Sequence, residues 1–204
     1  MDREKHLESF GILVGLLALI IAVLNWLIPF NPIGPSPMIP KTRLVEVASG
    51  KQTTSSAFWQ YRDGYSFSSQ AIVDRKTVEL HCDNGVQSGN SYWLLPDKTS
   101  GWVEIDLGHE YQIAKFRYLN THNGNCADRA TKNFHIAISS TGKFKGEEMV
   151  VIESEMPFSL SPTFQEVNLL NPISGRHVRF YVHDYYGWGG GLNELEVYAL
   201  EILP

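Results

Sequence analysis

From residue 44 onward the chain alternates apolar and polar side chains over one short stretch after another. A period of two is satisfied only by extended strands whose two faces meet different surroundings. Val103, Ile105 and Leu107 oppose Glu104 and Asp106. Phe134, Ile136 and Ile138 make a second apolar set, and Val178, Phe180 and Val182 a third. Leu195, Val197 and Ala199, opposite Glu194, Glu196 and Tyr198, make a fourth. Gly, Asn, Asp, Ser and Pro punctuate these stretches, which is the pattern of an antiparallel sandwich whose apolar sets face one shared core. At 204 residues, 43% of them hydrophobic, the chain has the material for one sizeable domain of this kind. We find no internal repeat and no heptad pattern.

Residues 10–30, FGILVGLLALIIAVLNWLIPF, contain no charged side chain. At about 1.5 Å per residue such a helix reaches roughly 31 Å, the thickness of a bilayer's hydrocarbon, so a single membrane-spanning helix is expected here. Trp26 lies where an indole sits at the headgroup level, and Pro29 and Pro32 stop the helix as it leaves the lipid. A cleaved signal peptide and a buried core helix are the alternatives. The first lacks a small-residue cleavage pattern, and the second rarely runs so long. The division expected is a short tail at 1–9, the helix at 10–30, a Pro-rich stalk at 31–43 and the sandwich at 44–204. Prolines 32, 35, 37 and 40 hold that stalk extended, although a loop packed on the domain fits them equally. The protein is therefore expected in a membrane, crossing once, with its C-terminal domain extracytoplasmic. Arg3 and Lys5 on one side balance Lys41 and Arg43 on the other, so charge alone does not set the topology.

A formal net charge of -5, with 17 basic residues scattered along the chain, provides no basic stripe for phosphate, so nucleic acid is not expected as a partner. Cys82 and Cys126 can form one disulfide in an oxidising compartment or remain two isolated thiols. No HExxH helix, nucleophile elbow or phosphate-cradling glycine loop occurs, so no enzymatic activity is expected.

Several segments in order, ASGKQTTSS (48–56), SSQAIVD (68–74), GWVEIDLG (101–108), RATKNFHIAISSTG (129–142), RHVRFYV (176–182) and GLNELEVY (191–198), resemble the discoidin family, the coagulation-factor C-type or galactose-binding-like jelly roll. The resemblance covers about residues 44–201 and implies a binding module. The chain departs from the family at Arg75, which follows Asp74 where a glycine is usual, and at Thr141 and Phe144 after the central strand.

The resemblance implies two sites. The first is a structural calcium ion held by Asp74 and Glu194, with Thr77 a looser match and loop carbonyls completing the shell. The alternative is that Asp74 caps a turn. The second is a ligand site in the loops at one end of the barrel. THNGNCADR (121–129) offers His122, Asn123, Asn125, Asp128 and Arg129, and HDYYGWGGG (183–191) offers Tyr185, Tyr186 and Trp188. Planar aromatics cover the C–H face of a pyranose while directional donors select its hydroxyls. Trp188 is the side chain expected to be exposed. Against this, the aromatics can plug the barrel mouth, and Arg129 can pair with Asp128 or bond a carbonyl. A third aromatic group, Phe58, Trp59, Tyr61, Tyr65 and Phe67, is expected to pack rather than enter lipid, since Arg62 and Asp63 interrupt it.

The function these features favour is a membrane-anchored, non-catalytic protein displaying a discoidin-like head to a glycan or glycoprotein. The alternative is an accessory or scaffold subunit that docks other subunits of a membrane complex on its sandwich. A module targeting an enzyme to its polymer is a weaker third, because no catalytic domain shares the chain.

Overall fold

The structure is a computed structural model and describes residues 41–60, 66–79 and 91–203. The expected span at 10–30 and most of the stalk lie outside the described residues. Among the described residues, no helix is long and apolar enough to cross a membrane.

Eleven strands are described: β1 (Thr42–Glu46), β2 (Gln52–Ser55), β3 (Trp93–Leu94), β4 (Gly101–Leu119), β5 (Arg129–Thr131), β6 (Asn133–Ser139), β7 (Met149–Glu155), β8 (Gln165–Val182), β9 (Tyr185–Gly187), β10 (Gly191–Leu192) and β11 (Glu194–Ile202). Seven form one antiparallel sheet in the order β1-β11-β4-β8-β6-β7, with β2 on β4. The ASGKQTTSS segment supplies a turn and then β2, while β1 precedes it and pairs with the last strand.

Two long strands turn this one sheet into a sandwich. The first part of β4 pairs with β2 and with the end of β8, Val103 opposite Phe180 and Ile105 opposite Val178. Its second part pairs with β11 and with the beginning of β8, Phe116 opposite both Val197 and Val167. Register breaks between Asp106 and Tyr111 mark the change.

The four apolar sets meet as the alternation requires. Val103, Ile105, Leu107, Phe134, Ile136, Val178, Phe180, Leu195, Val197 and Ala199 all belong to one buried cluster, with Ile72, Trp93 and Phe116. Phe134 stacks on Phe180 at 4.9 Å between ring centroids and meets Tyr118 edge-on at 5.1 Å. Each fully buried ring of this kind removes enough apolar surface from water to contribute about 2 to 3 kcal/mol.

The small pairs β3–β10 and β5–β9 stand apart from the main sheet at one end. They are short because this end is mostly loop, and they hold the loops that carry the candidate ligand residues.

Candidate functional site at the barrel mouth

The strand pair β5–β9 joins the two predicted ligand loops. Arg129 lies opposite Gly187, Ala130 opposite Tyr186 and Thr131 opposite Tyr185. The close approach depends on glycine. Gly187 has φ +69, and a Cβ there would come within 2.1 Å of the Asp128 carbonyl oxygen; a Cβ on Gly189 would stand 2.8 Å from Arg129 Nη1. The backbone N–H of Trp188 donates to the Asp128 carbonyl at 2.7 Å and closes the corner.

Arg129 is buried rather than presented to solvent. Its Nη1 donates to the Leu95 carbonyl at 3.2 Å, its Nη2 bonds Asp97, and its guanidinium lies 5.4 Å from the ring centroid of Trp59. The partner is thus Asp97, 32 residues earlier, and not the adjacent Asp128. Trp59 itself packs on Phe67, which packs on buried Tyr92, so these members of the third aromatic group are a small second core beneath the mouth. Tyr61 and Tyr65 lie outside the described residues.

Trp188 is 51% exposed, more than the other exposed aromatic side chains among the described residues, Phe58 and Phe158. Lys98 approaches it twice, its backbone N–H donating to the Trp188 carbonyl at 2.8 Å and its Nζ standing 5.3 Å from the ring centroid. Tyr185 and Tyr186 are half-buried. The Tyr186 hydroxyl donates to Glu155 at 3.4 Å, and its ring packs against Phe158 at 5.7 Å, so it faces β7 and its following loop.

His122 and Asn123 form a neighbouring group built on a carboxylate that the sequence did not mark out. Glu79, whose side chain is 3% exposed, accepts hydrogen bonds from the backbone N–H groups of His122 (3.2 Å) and Gly124 (2.7 Å) and from Asn193 Nδ2 (3.1 Å). The Nδ1 of His122 lies 3.1 Å from Glu79, off the axis of a hydrogen bond. Asn123, in a left-handed conformation with φ +63, donates to Asp128 at 2.7 Å and accepts from the Tyr92 hydroxyl at 3.2 Å. Burial raises the Tyr92 phenol above its ordinary pKa, so it remains a donor. Asn125 is exposed on the same loop. Cys126 is disulfide-bonded; Cys82 lies outside the described residues.

The mouth therefore has two unequal parts. Arg129, Asn123 and Glu79 spend their polar atoms holding loops to one another, whereas Trp188 and Lys98 face outward.

The expected metal residues lie on the strand β11 side. Thr77 and Glu194 line a cavity of about 380 Å³ with Glu46, Arg75, Phe164, Glu196 and Tyr198. Glu194 Oε1 accepts a long hydrogen bond, 3.4 Å, from the Arg75 backbone N–H, while its Oε2 is buried and unpartnered. Burial, reinforced by the charges of Asp74, Glu196 and Glu46, pushes the Glu194 carboxyl up to about 8. Asp74 ends the 3-10 turn Ser69–Val73 and accepts from the Lys76 backbone N–H at 2.8 Å. The Arg75 guanidinium turns to Glu46 at 3.0 Å. No cluster of three or more His, Cys, Asp or Glu close enough to hold a metal occurs among the described residues. A cation here would need backbone and threonine oxygens beside Glu194. The orphaned Glu194 oxygen fits that role, since a hard cation takes oxygen donors of just this kind.

The strand order and the loops gathered at one end define a jelly-roll sandwich. The F5/8 type C domain model matches residues 51–197, and the chain belongs to that family. No curated protein sequence matches the chain. Among solved structures, it resembles the family 32 carbohydrate-binding module of Clostridium perfringens NanJ in complex with galactose, at 14% identity and a TM-score of 0.58 over 76% of this chain and 99% of that one. It is similar to another C. perfringens module, CpGH89CBM32-5, in complex with GalNAc-β-1,3-galactose, at 19% identity and a TM-score of 0.57 over 76% and 100% of the two chains. A fucolectin from striped bass (Morone saxatilis) serum aligns at 17% identity and a TM-score of 0.58 over 77% of this chain and 49% of that one. At these identities the likeness is one of fold.

Proposed function

We propose that the protein binds carbohydrate through the mouth formed by residues 121–129 and 183–191, and that residues 10–30 anchor this head in a membrane. The observation that carries the reading is Trp188, held at 51% exposure by a corner that orders both its neighbours. An indole left in water beside fixed polar groups is the arrangement that stacks on a sugar ring, and covering one such ring contributes on the order of 1 to 3 kcal/mol. The solved relatives of this fold that hold galactose, GalNAc-β-1,3-galactose or Lewis b support the ligand class.

A glycan array probed with the full chain in detergent, alongside Trp188→Ala, tests it. Binding to a defined set of sugars, reduced at least about ten-fold by the substitution, is the expected result. An empty array overturns the carbohydrate reading and leaves the docking of other proteins as the use of this surface. The anchor is checked separately: the full chain should float with vesicles and resist alkaline carbonate extraction, and release into the supernatant contradicts it.

We also propose that calcium occupies the space beside Glu194, with Asp74 adding charge and Thr77 an oxygen donor. There it would neutralise a buried carboxylate and tie the loop after Asp74 to β11.

A further inference from the structure

We propose that the mouth selects glycans bearing an anionic group, a carboxylate or a sulfate ester, and that Lys98 is the residue that selects them. This rests on the carbohydrate reading of the same site.

The charges around Trp188 are almost all spoken for. Arg129 is bound to Asp97, Asp128 accepts from Asn123, and Asp184 pairs with Lys132 at 3.4 Å and accepts the Tyr185 backbone N–H at 2.9 Å. Lys98 is different: it is exposed and pairs with no carboxylate among the described residues. Its ammonium stands 5.3 Å from the Trp188 ring centroid, near the outer limit of cation–π attraction, so it borders the ring and remains free to turn toward a ligand.

The backbone shows that this placement is enforced. The turn Pro96–Thr99 closes with the Thr99 N–H donating to the Pro96 carbonyl at 3.3 Å, and Lys98 occupies its third position with φ +56. That position suits Gly or Asn, and a lysine there is strained. The strained residue is also the one whose N–H reaches the Trp188 carbonyl, which fixes the lysine backbone beside the indole and keeps the ring within the side chain's reach. A pyranose stacked on the open part of the indole therefore brings the substituents on its rim within reach of the Lys98 ammonium. A hydroxyl gains little there; a carboxylate or sulfate gains a charge-assisted hydrogen bond.

Matched glycan pairs, identical but for a uronate or sialate carboxylate or a sulfate ester, are to be titrated into the full chain, wild type, Lys98→Gly and Lys98→Gln. The wild type should favour the anionic member by about five-fold at low salt, the upper range for an exposed ion pair, with the preference fading by 0.5 M salt. Both variants should lose that preference while holding neutral sugars as before. Lys98→Gly should also match or exceed the wild-type melting temperature, which rules out misfolding as the cause. The carboxylate and sulfate arms show which anion is preferred. Equal affinity for neutral and anionic members overturns the inference and leaves carbohydrate binding standing, as does a preference that survives in both variants. No binding to any sugar removes both.

Discussion

Glu194 stands where the alternation of β11 would turn it outward, yet it is almost wholly buried with one oxygen unpartnered. Its carboxyl is raised from the ordinary range to about 8, so the folded state holds its proton more tightly than the unfolded chain does. The stability this proton supports is complete below about pH 4.5 and is lost as pH rises toward 8. In chelator, the melting temperature should fall across that interval, and Glu194→Gln should flatten the fall. Calcium should raise the wild-type melting temperature more at pH 8 than at pH 5, because the ion meets a carboxylate only at the higher pH. A calcium response equal at both values, or none, removes the proposed ion. Arg129 illustrates a second residue-scale point. Its guanidinium is buried on Leu95 and Asp97, so Arg129→Ala should cost about 1 to 3 kcal/mol of stability, read by denaturant melts, and any loss of ligand follows from that. Trp188→Ala, at an open position, should change stability by no more than about 0.5 kcal/mol. An open Trp188 and an Arg129 bound to a carbonyl could be read from the sequence, but the carboxylate partners could not: Asp97 and Arg129, or Glu79 and His122, lie 32 and 43 residues apart and only the fold brings them together.

At the scale of elements, the alternating sets were legible because water on one face and core on the other impose a period of two. β4, β6, β8 and β11 therefore appear where the pattern lies. The short pairs β3–β10 and β5–β9 carry too few residues to show a period, and their pairing is set by glycines and backbone bonds instead. Gly187 is the sharpest case. Gly187→Ala places a methyl against the Asp128 carbonyl in a left-handed backbone, and should destabilise the domain by about 2 kcal/mol or more in a denaturant melt, with the Arg129–Trp188 corner lost first. Wild-type stability in that variant contradicts the β5–β9 corner described here. The exposed indole could be anticipated from a glycine-rich aromatic loop. Lys98 could not, since nothing local distinguishes it from any surface lysine until its φ and its indole neighbour are known.

For the whole molecule, one buried cluster joins both layers of the sandwich, so the mouth rides on a rigid body. Phe180→Ala, at the centre of that cluster and stacked on Phe134, should cost about 3 to 5 kcal/mol and weaken every mouth contact only through unfolding. The strands give the mouth a rigid base, and the polar atoms of Glu79, Asn123 and Arg129 are spent on making its loops hold still. The most direct test of this picture follows the indole N–H resonances while a glycan selected on the array is titrated. Trp188 should shift in step with binding, whereas Trp93, fully buried and donating to the Ala57 carbonyl at 3.0 Å, should stay fixed. Saturable binding that leaves Trp188 unmoved would place the sugar elsewhere on the domain and contradict the account.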